Sequence, residues 1–480
     1  MPYRVMMSSN VIETYSVAGA KVYIQDIDGK GFYIVEEPLL LDDEKSVVDE
    51  ILTEAIVSKD LNDPEGVIIN LLSKRNMDAQ KVSRIHYWVR RRLLYDEMTV
   101  PLLDPEIEEI ECMGPGTPIT VIHRKYSNYI RLYTNLIMTR DEEIISIIEK
   151  LATKSNKSVN IAKPFLEFSL PEGHRVAATI SSEISSPGST FDIRKFPISP
   201  ISLVKLIING SISKELAAYI WLMMDYKPFY LIVGSTGSGK TTLLSALLNF
   251  THPDSKIVSI EDTPELNLSG RNWISLFSRS NVNSYYDVSI ADLSRLALRY
   301  RPDYLIIGEV RGREIETLIH ASASGHGSLS TFHGGKPSDV ITRIVSLVPR
   351  DLAIMFINNL WGIIMVSRRI TDEGKFIKAV SALYEIKRTK GKPVFKKVSW
   401  WSNTEKKYIP GNLEKLVERS EKLRYISELY EIPIADLVSD LRRREEFLTY
   451  LQKQNIIDNS LIVKNIANFY RKVKINVEQI

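Results

Sequence analysis

The 480-residue chain lacks the features that mark disulfide-stabilised, membrane-spanning or strongly charged proteins. Its single cysteine, Cys112, excludes an internal disulfide and argues against a cysteine-based metal site. Its longest apolar runs, near 220–224 and 360–366, are far shorter than the ~20 residues of a membrane-spanning helix. A net charge of +3 gives no argument for binding nucleic acid or an anionic membrane. We therefore expect a soluble, intracellular protein that reaches any membrane through a partner.

The length exceeds what one hydrophobic core usually serves, so we expect several domains. Residues 1–100 mix a short β pattern with helices, and residues 101–200 look like an α/β unit. Residues 201–410 alternate apolar β runs with helical patterns, which predicts a mostly parallel sheet flanked by helices. Residues 411–480 form a charged helical extension. The fold class is therefore α/β, with predicted boundaries near 100, 200 and 410.

A glycine-rich segment is the most informative motif. Residues 234–241 read Gly-Ser-Thr-Gly-Ser-Gly-Lys-Thr, between a β-rich apolar run and a helical pattern. Glycines let backbone N–H groups close around an oligophosphate without Cβ clashes. Lys240 supplies a charge for the β- and γ-phosphates, and Thr241 a hydroxyl for Mg²⁺. The predicted nucleotide site comprises Gly234, Ser235, Thr236, Gly237, Ser238, Gly239, Lys240, Thr241 and Thr242.

Acidic residues follow two further predicted strands. Glu261 and Glu265 come just after the apolar run 257–260, where they could position water or hold Mg²⁺ through water. The alternative is that they are helix-start acids favoured by the helix dipole. Glu309 ends the run 304–307 as in a Walker B motif, with Gly308 where Asp is common. Such a glutamate would orient and deprotonate the attacking water or hold the metal shell.

Two histidines flank a predicted short strand in the segment 325–335. His326 and His333 could in principle form a metal site, but no cysteine or third histidine lies near them. A sensor of the phosphate state and a packed structural histidine are the other two interpretations. We expect both histidines to belong to the catalytic set.

These four motifs, in this order, resemble those of the type II/type IV secretion and type IV pilus ATPase superfamily. The segment 299–314 is similar to its archaeal branch, and so are 104–110, 170–176, 191–196 and 444–451. The family commonly has alanine after the second histidine, whereas this chain has Gly334. The resemblance covers nearly the whole chain, and the first ~90 residues match least sharply.

The resemblance implies a homo-hexameric ATPase with ATP and Mg²⁺ as cofactors. It implies a RecA-like P-loop domain, preceded by a PAS-like α/β domain and a helical N-terminal region. ATP would lie between the N-terminal and RecA-like regions, and basic residues of the former would reach its phosphates. On matched positions these are Arg175 and Arg194, with Arg279, Arg299 and Arg311 as further candidates. Arginine suits the dispersed charge of a transferred phosphoryl group.

The expected function is a motor that assembles or secretes pilus-like filaments from the cytoplasmic face of the membrane. Thr241 and Glu309 would hold Mg²⁺, and Glu309 would polarise water with help from Glu261 or Glu265. A polytopic membrane platform protein would be the direct partner, pilin-like subunits indirect ones, and no nucleic acid is expected. A DNA-translocating RecA-like ATPase and a non-hydrolysing nucleotide-gated scaffold are the alternatives. Pilus extension, archaellum rotation and protein export are not distinguished.

Overall fold

The chain forms two compact units, Met1–Ile198 and Ser199–Ile480, each with its own nine-stranded sheet. The structure is a computed structural model. It describes residues 10–57, 64–75, 77–160, 164–186, 188–196, 200–270, 272–279, 287–310, 312–371, 376–389 and 392–472. The predicted α/β class is confirmed, and both sheets are mixed. The finer division at residues 100, 200 and 410 stays a prediction.

The first unit contains nine strands and five α-helices among the described residues. In chain order these are β1 Val11–Val17, β2 Ala20–Ile27, β3 Lys30–Glu36, α1 Asp42–Val57, α2 Pro64–Ser73, α3 Ala79–Leu94, α4 Thr99–Leu103, β4 Ile107–Cys112, β5 Pro118–His123, β6 Leu132–Ile137, α5 Asp141–Lys154, β7 Phe165–Ser169, β8 Arg175–Thr179 and β9 Thr190–Arg194. A 3₁₀ turn, Asp96–Met98, lies between α3 and α4.

Strands from both sides of residue 100 share the first sheet, whose order is β1-β2-β3-β6-β5-β4-β9-β8-β7. The link is the parallel pairing of β3 with β6, where Phe32 lies opposite Tyr133. The helices α1, α2 and α3 bury a small apolar cluster of their own that includes Val48, Ile68 and Ile85. The first hundred residues therefore combine sheet strands with a separate three-helix cluster.

The second unit contains the glycine-rich segment. Its elements are α6 Leu203–Ile208, α7 Lys214–Asp225, β10 Phe229–Gly234, α8 Lys240–Leu248, β11 Ile257–Glu261, β12 Trp273–Phe277, α9 Ile290–Arg299, β13 Tyr304–Glu309, α10 Ile315–Ala323, β14 Gly327–His333, α11 Pro337–Leu347, α12 Arg350–Asn359, β15 Leu360–Ile370, β16 Phe376–Thr389, β17 Lys392–Ser402, β18 Lys407–Ile409, α13 Leu413–Arg419, α14 Glu421–Leu429, α15 Ile434–Lys453 and α16 Asn459–Lys472.

The second sheet has the order β12-β11-β13-β14-β10-β15-β16-β17-β18. Its first six strands pair in parallel, as the alternating apolar and helical patterns predict. The last three strands pair antiparallel, which the alternating pattern did not predict. All six residues of β10 are buried, because parallel strands near the sheet centre are covered on both faces.

The C-terminal helices pack into the same core as the central strands. Leu437, Leu441, Leu448 and Leu451 of α15 are all buried, as their helical spacing predicts, in the cluster that also contains Tyr230 of β10. On the same helix, fully buried Arg444 pairs with Asp225 at the end of α7 and with Asp440. The helices thus stabilise the unit that carries the glycine loop. Within the described residues, no helix has the length and hydropathy to cross a membrane.

Candidate nucleotide site

The glycine loop joins the end of β10 to the start of α8, as predicted. Gly237 and Gly239 have φ of 67° and 95°, in the left-handed region that glycine adopts without Cβ strain. Gly239 is the N-cap of α8, so the loop leads directly into the positive end of a helix dipole. The Ser238 hydroxyl is buried and makes no hydrogen bond within the described part of the chain. The loop therefore has the geometry of an anion site.

A β-hairpin packs against this loop. Gly234 leaves no room for a side chain, because a Cβ there would collide with the carbonyl oxygen of Val366 on β15. A Cβ on Gly237 would lie 2.9 Å from Nη2 of Arg368, and one on Gly239 would lie 3.0 Å from Cβ of Lys378. The loop glycines therefore also accommodate strands β15 and β16.

The two side chains at the start of α8 that are predicted to bind the cofactor have hydrogen-bond partners nearby. The Lys240 ammonium donates a hydrogen bond to the Ser235 carbonyl at 3.0 Å, so the lysine folds back over its own loop. The Thr241 hydroxyl donates to Oε2 of Glu265 at 2.8 Å. The structure thus brings the predicted catalytic residue Glu265 into contact with Thr241, next to Lys240 in sequence.

Glu261 is a buried carboxylate at the carboxyl end of β11, with only 3% of its surface exposed. Its Oε1 accepts hydrogen bonds from the backbone N–H groups of Glu265 and Leu266, at 3.0 and 2.9 Å. Its Oε2 is buried and makes no hydrogen bond within the described residues. Burial raises the pKa of this carboxyl to about 7, against the lowering effect of the two backbone donors.

The absence of a side chain at Gly308 makes room for Glu261. A Cβ on Gly308 would lie 2.9 Å from Cγ of Glu261, closer than carbon atoms pack. The pairing of β13 with β14 is irregular here, shifting between Ile307 and Glu309. Glycine in the usual Walker B aspartate position therefore has a steric reason in this chain: the neighbouring strand already provides a carboxylate.

Glu309 and His333 meet at the same edge of the sheet. Nε2 of His333 lies 2.6 Å from Oε1 of Glu309. His333 ends β14 and pairs in register with Gly234, so strand pairing places it beside the start of the loop. The carboxyl ends of four parallel strands thus carry Gly234, Glu261, Glu309 and His333, where α/β sheets bind ligands.

His326 is not brought to the loop. It lies just before β14, at the opposite end of that strand from His333, and its Nδ1 is 3.1 Å from the Ala321 carbonyl. The two histidines are seven residues apart along an extended strand, which separates them by roughly 20 Å. The structure therefore does not bring His326 to the loop with the other predicted catalytic residues, and its catalytic role stays a prediction.

The predicted arginines lie in several places. Arg175 and Arg194 face each other in register across β8 and β9 of the first unit. Each is near a carboxylate, 3.3 Å from Glu167 and 3.9 Å from Glu109 respectively. Among the further candidates, Arg279 bridges to Val288, exposed Arg299 ends α9, and Arg311 lies outside the described residues.

The donor set at the start of α8 fits Mg²⁺. No group of three metal-ligating side chains occurs within the described ranges, so the chain alone forms no cage. Mg²⁺ favours oxygen ligands and is commonly held by one or two side chains together with substrate phosphates. The Thr241 hydroxyl, which lies beside the Glu265 carboxylate, and the Glu309 carboxylate at the end of β13 are oxygen donors of this kind.

Arg368 and Lys378 are the site residues that the sequence motifs did not reveal. The apolar run 360–366 is too short for a membrane span, and a run of that kind is also typical of a buried strand. Two arginines follow it, at the end of the strand where the other functional side chains of this sheet lie. The position of these arginines after an apolar run is the sequence signal that could have identified them.

Strand, glycine loop and helix together have the architecture of P-loop nucleotide-binding proteins. The family model described as "Type II/IV secretion system protein" matches residues 95–391, more than half of the sequence. The chain belongs to this family. The resemblance noted from the sequence motifs is thereby confirmed at the level of the family.

Several known proteins are similar to this chain. One uncharacterized protein of Methanocaldococcus jannaschii is 32% identical over 77% of this chain and 66% of its own length. Another from the same organism is 38% identical over 48% of this chain and 32% of its own length. The chain thus spans 66% and 32% of the lengths of these two relatives. The X-ray structure of the Legionella pneumophila ATPase DotB is 18% identical, with a TM-score of 0.43, covering 76% of this chain and 92% of DotB.

Proposed function

We propose that this protein is a Mg²⁺-dependent ATPase whose hydrolysis cycle drives assembly or secretion of pilus-like filaments. One observation carries the proposal. At the carboxyl ends of the parallel strands of one sheet, beside the glycine loop, lie the four side chains Lys240, Thr241, Glu265 and Glu309. Membership of the type II/IV secretion family supports the same activity. In this proposal the second unit is a RecA-like domain. Residues 101–200 form a PAS-like α/β domain, whose sheet the strands β1–β3 of the preceding region extend, beside the helical cluster α1–α3.

The chain's own residues would perform hydrolysis mainly by positioning and electrostatics. Backbone N–H groups of the loop and the Lys240 ammonium would bind the phosphates. Glu309, oriented by His333, would accept a proton from the attacking water. Thr241 and Glu309 would hold Mg²⁺, which when bound neutralises charge on the phosphate oxygens. Glu265 would hold the Thr241 hydroxyl in place, and Glu261 would position Glu265 by accepting a hydrogen bond from its backbone N–H.

In the same proposal, arginines outside the loop stabilise the negative charge of the nucleotide phosphates. Arg175 and Arg194 are adjacent on the first sheet, half exposed, and able to present two guanidinium groups to one anion. In a homo-hexamer they would complete the phosphate site in each subunit. A polytopic membrane platform protein would receive the resulting movement at the cytoplasmic face of the membrane and pass it to pilin-like subunits.

The test is phosphate release from Mg²⁺·ATP by the purified full chain, compared with Lys240→Ala, Arg175→Ala and Arg194→Ala. We expect Lys240→Ala to abolish turnover and each arginine variant to lower it by about tenfold or more, as loss of a charged hydrogen bond predicts. Absence of phosphate release by the wild-type chain would contradict the ATPase proposal, and turnover that persists in Lys240→Ala would contradict the role of the loop. Normal turnover in both arginine variants would contradict only their role.

The proposed partner is tested by measuring ATP turnover under three conditions. These are added liposomes of anionic phospholipid, the same liposomes with a reconstituted platform protein, and double-stranded DNA. The proposal predicts that the platform-containing vesicles stimulate turnover and that DNA does not. Stimulation by DNA alone would favour a DNA-translocating ATPase instead.

A further inference from the structure

The hairpin β15–β16 reaches the phosphate loop from the side away from the acidic residues. β15 pairs with β10 in parallel from Phe229 to Val233, and it then continues beyond the point where β10 turns into the loop. The close approach of the Val366 carbonyl to Gly234 fixes how the two backbones meet. The residues that follow Val366 are therefore carried past the loop on a paired strand.

Strand alternation directs neighbouring arginines to opposite faces of β15. Arg369 is fixed on one face: its guanidinium carbon lies 3.4 Å from the centre of the Trp401 ring, and its Nη2 donates to the Gly210 carbonyl at 2.6 Å. Arg368 consequently points to the other face, where its Nη2 lies beside Gly237. Because the contacts of Arg369 fix the orientation of β15, the exposed side chain of Arg368 is directed toward the loop.

A second cation shares this face. Lys378 of β16 lies directly opposite Arg368 in the antiparallel register, and its Cβ is beside Gly239. Within the described part of the chain, no carboxylate makes an ion pair with Arg368. An anion in the loop would give Arg368 a charged partner.

We propose that Arg368 is a nucleotide-binding residue that contacts the terminal phosphate of ADP from the same subunit, and that Lys378 reinforces the local positive potential. The inference rests on the proposed nucleotide site and goes beyond it. Loop backbone groups cradle the α- and β-phosphates, and Arg368 adjoins Gly237 in the middle of that loop. Because this contact does not depend on a neighbouring subunit, it would hold the diphosphate after hydrolysis and slow its release.

The experiment measures the dissociation constants of ADP and AMP by isothermal titration calorimetry with the full chain. The variants are Arg368→Ala and Arg368→Gln, with Arg442→Ala as a matched control that removes an exposed arginine paired with Glu414 on other helices. We expect both Arg368 variants to bind ADP about ten- to a hundredfold more weakly, as loss of a charged hydrogen bond predicts. AMP binding should change less than threefold, and the control should bind both nucleotides as the wild type does.

Unchanged ADP affinity in both Arg368 variants, with wild-type binding intact, would overturn this inference and leave the nucleotide site standing. Equal weakening for ADP and AMP would also overturn it, since a general distortion of the loop would act on both. If the wild-type chain bound no nucleotide at all, the proposed function itself would fail. Thermal unfolding of each variant confirms that the compared proteins are folded.

Discussion

The buried carboxyl of Glu261 makes the stability of the nucleotide-free protein depend on pH in a defined direction. Burial raises its pKa from an ordinary 4.5 to about 7 in the folded chain. A carboxyl with a raised folded pKa binds its proton more tightly in the folded state than in the unfolded state. The resulting penalty is absent at low pH, grows as pH rises through the interval between the two values, and is complete above the folded pKa.

The magnitude follows from those two pKa values. Linkage predicts that wild type loses about 2–3 kcal/mol of unfolding free energy between about pH 5 and pH 8 because of this one group. Glu261→Gln removes the titration while keeping a side-chain oxygen for the backbone donors at Glu265 and Leu266. The variant should therefore gain stability relative to wild type as pH rises, by about that amount.

The assay is urea denaturation of the nucleotide-free protein at several pH values, followed by fluorescence and circular dichroism. Glu418→Gln, which removes an exposed carboxylate, is the matched control and should follow the wild-type profile. If the difference in unfolding free energy between Glu261→Gln and wild type were the same at about pH 5 and pH 8, the raised pKa of Glu261 would be wrong.

Three further predictions test individual contacts. Gly308→Ala should destabilise the protein by about 1–3 kcal/mol, measured by urea denaturation, because its Cβ would overlap Glu261; an unchanged midpoint would contradict this packing. Arg444→Met should cost about 3–5 kcal/mol by the same assay, since it leaves the Asp225 carboxylate buried without its partner. Adding Asp225→Asn should restore part of that loss, and no restoration would refute the pairing. His333→Gln should lower ATP turnover by about tenfold or more with ATP affinity retained, and normal turnover would exclude its orienting role.

The features that local sequence determines were predictable. A glycine loop between an apolar run and a helical pattern is encoded in about twenty consecutive residues, and the structure forms it where expected. Glu261 and Glu309 were also located, since each ends an apolar run that becomes a parallel strand. Parallel pairing places the carboxyl ends of these strands at the same end of the sheet. The proximity of the two glutamates could therefore be predicted without knowing the loops between the strands.

Features that depend on distant packing were not predictable. The approach of Val366 and Arg368 to the loop comes from pairing between β10 and β15, more than a hundred residues apart in sequence. Helical and strand periodicity identify elements but not which strands become neighbours. His326 illustrates the opposite case: it is close to His333 in sequence, yet the extended strand between them separates the two side chains.

The central claim is that this chain hydrolyses ATP with Glu309 as the group that activates water. The most direct measurement compares Glu309→Gln with wild type for both ATP turnover and ATP affinity. We expect turnover to fall by about a hundredfold or more while ATP affinity stays within a few-fold, because glutamine keeps the shape of the side chain but cannot accept the proton. Full turnover by Glu309→Gln would contradict the claim.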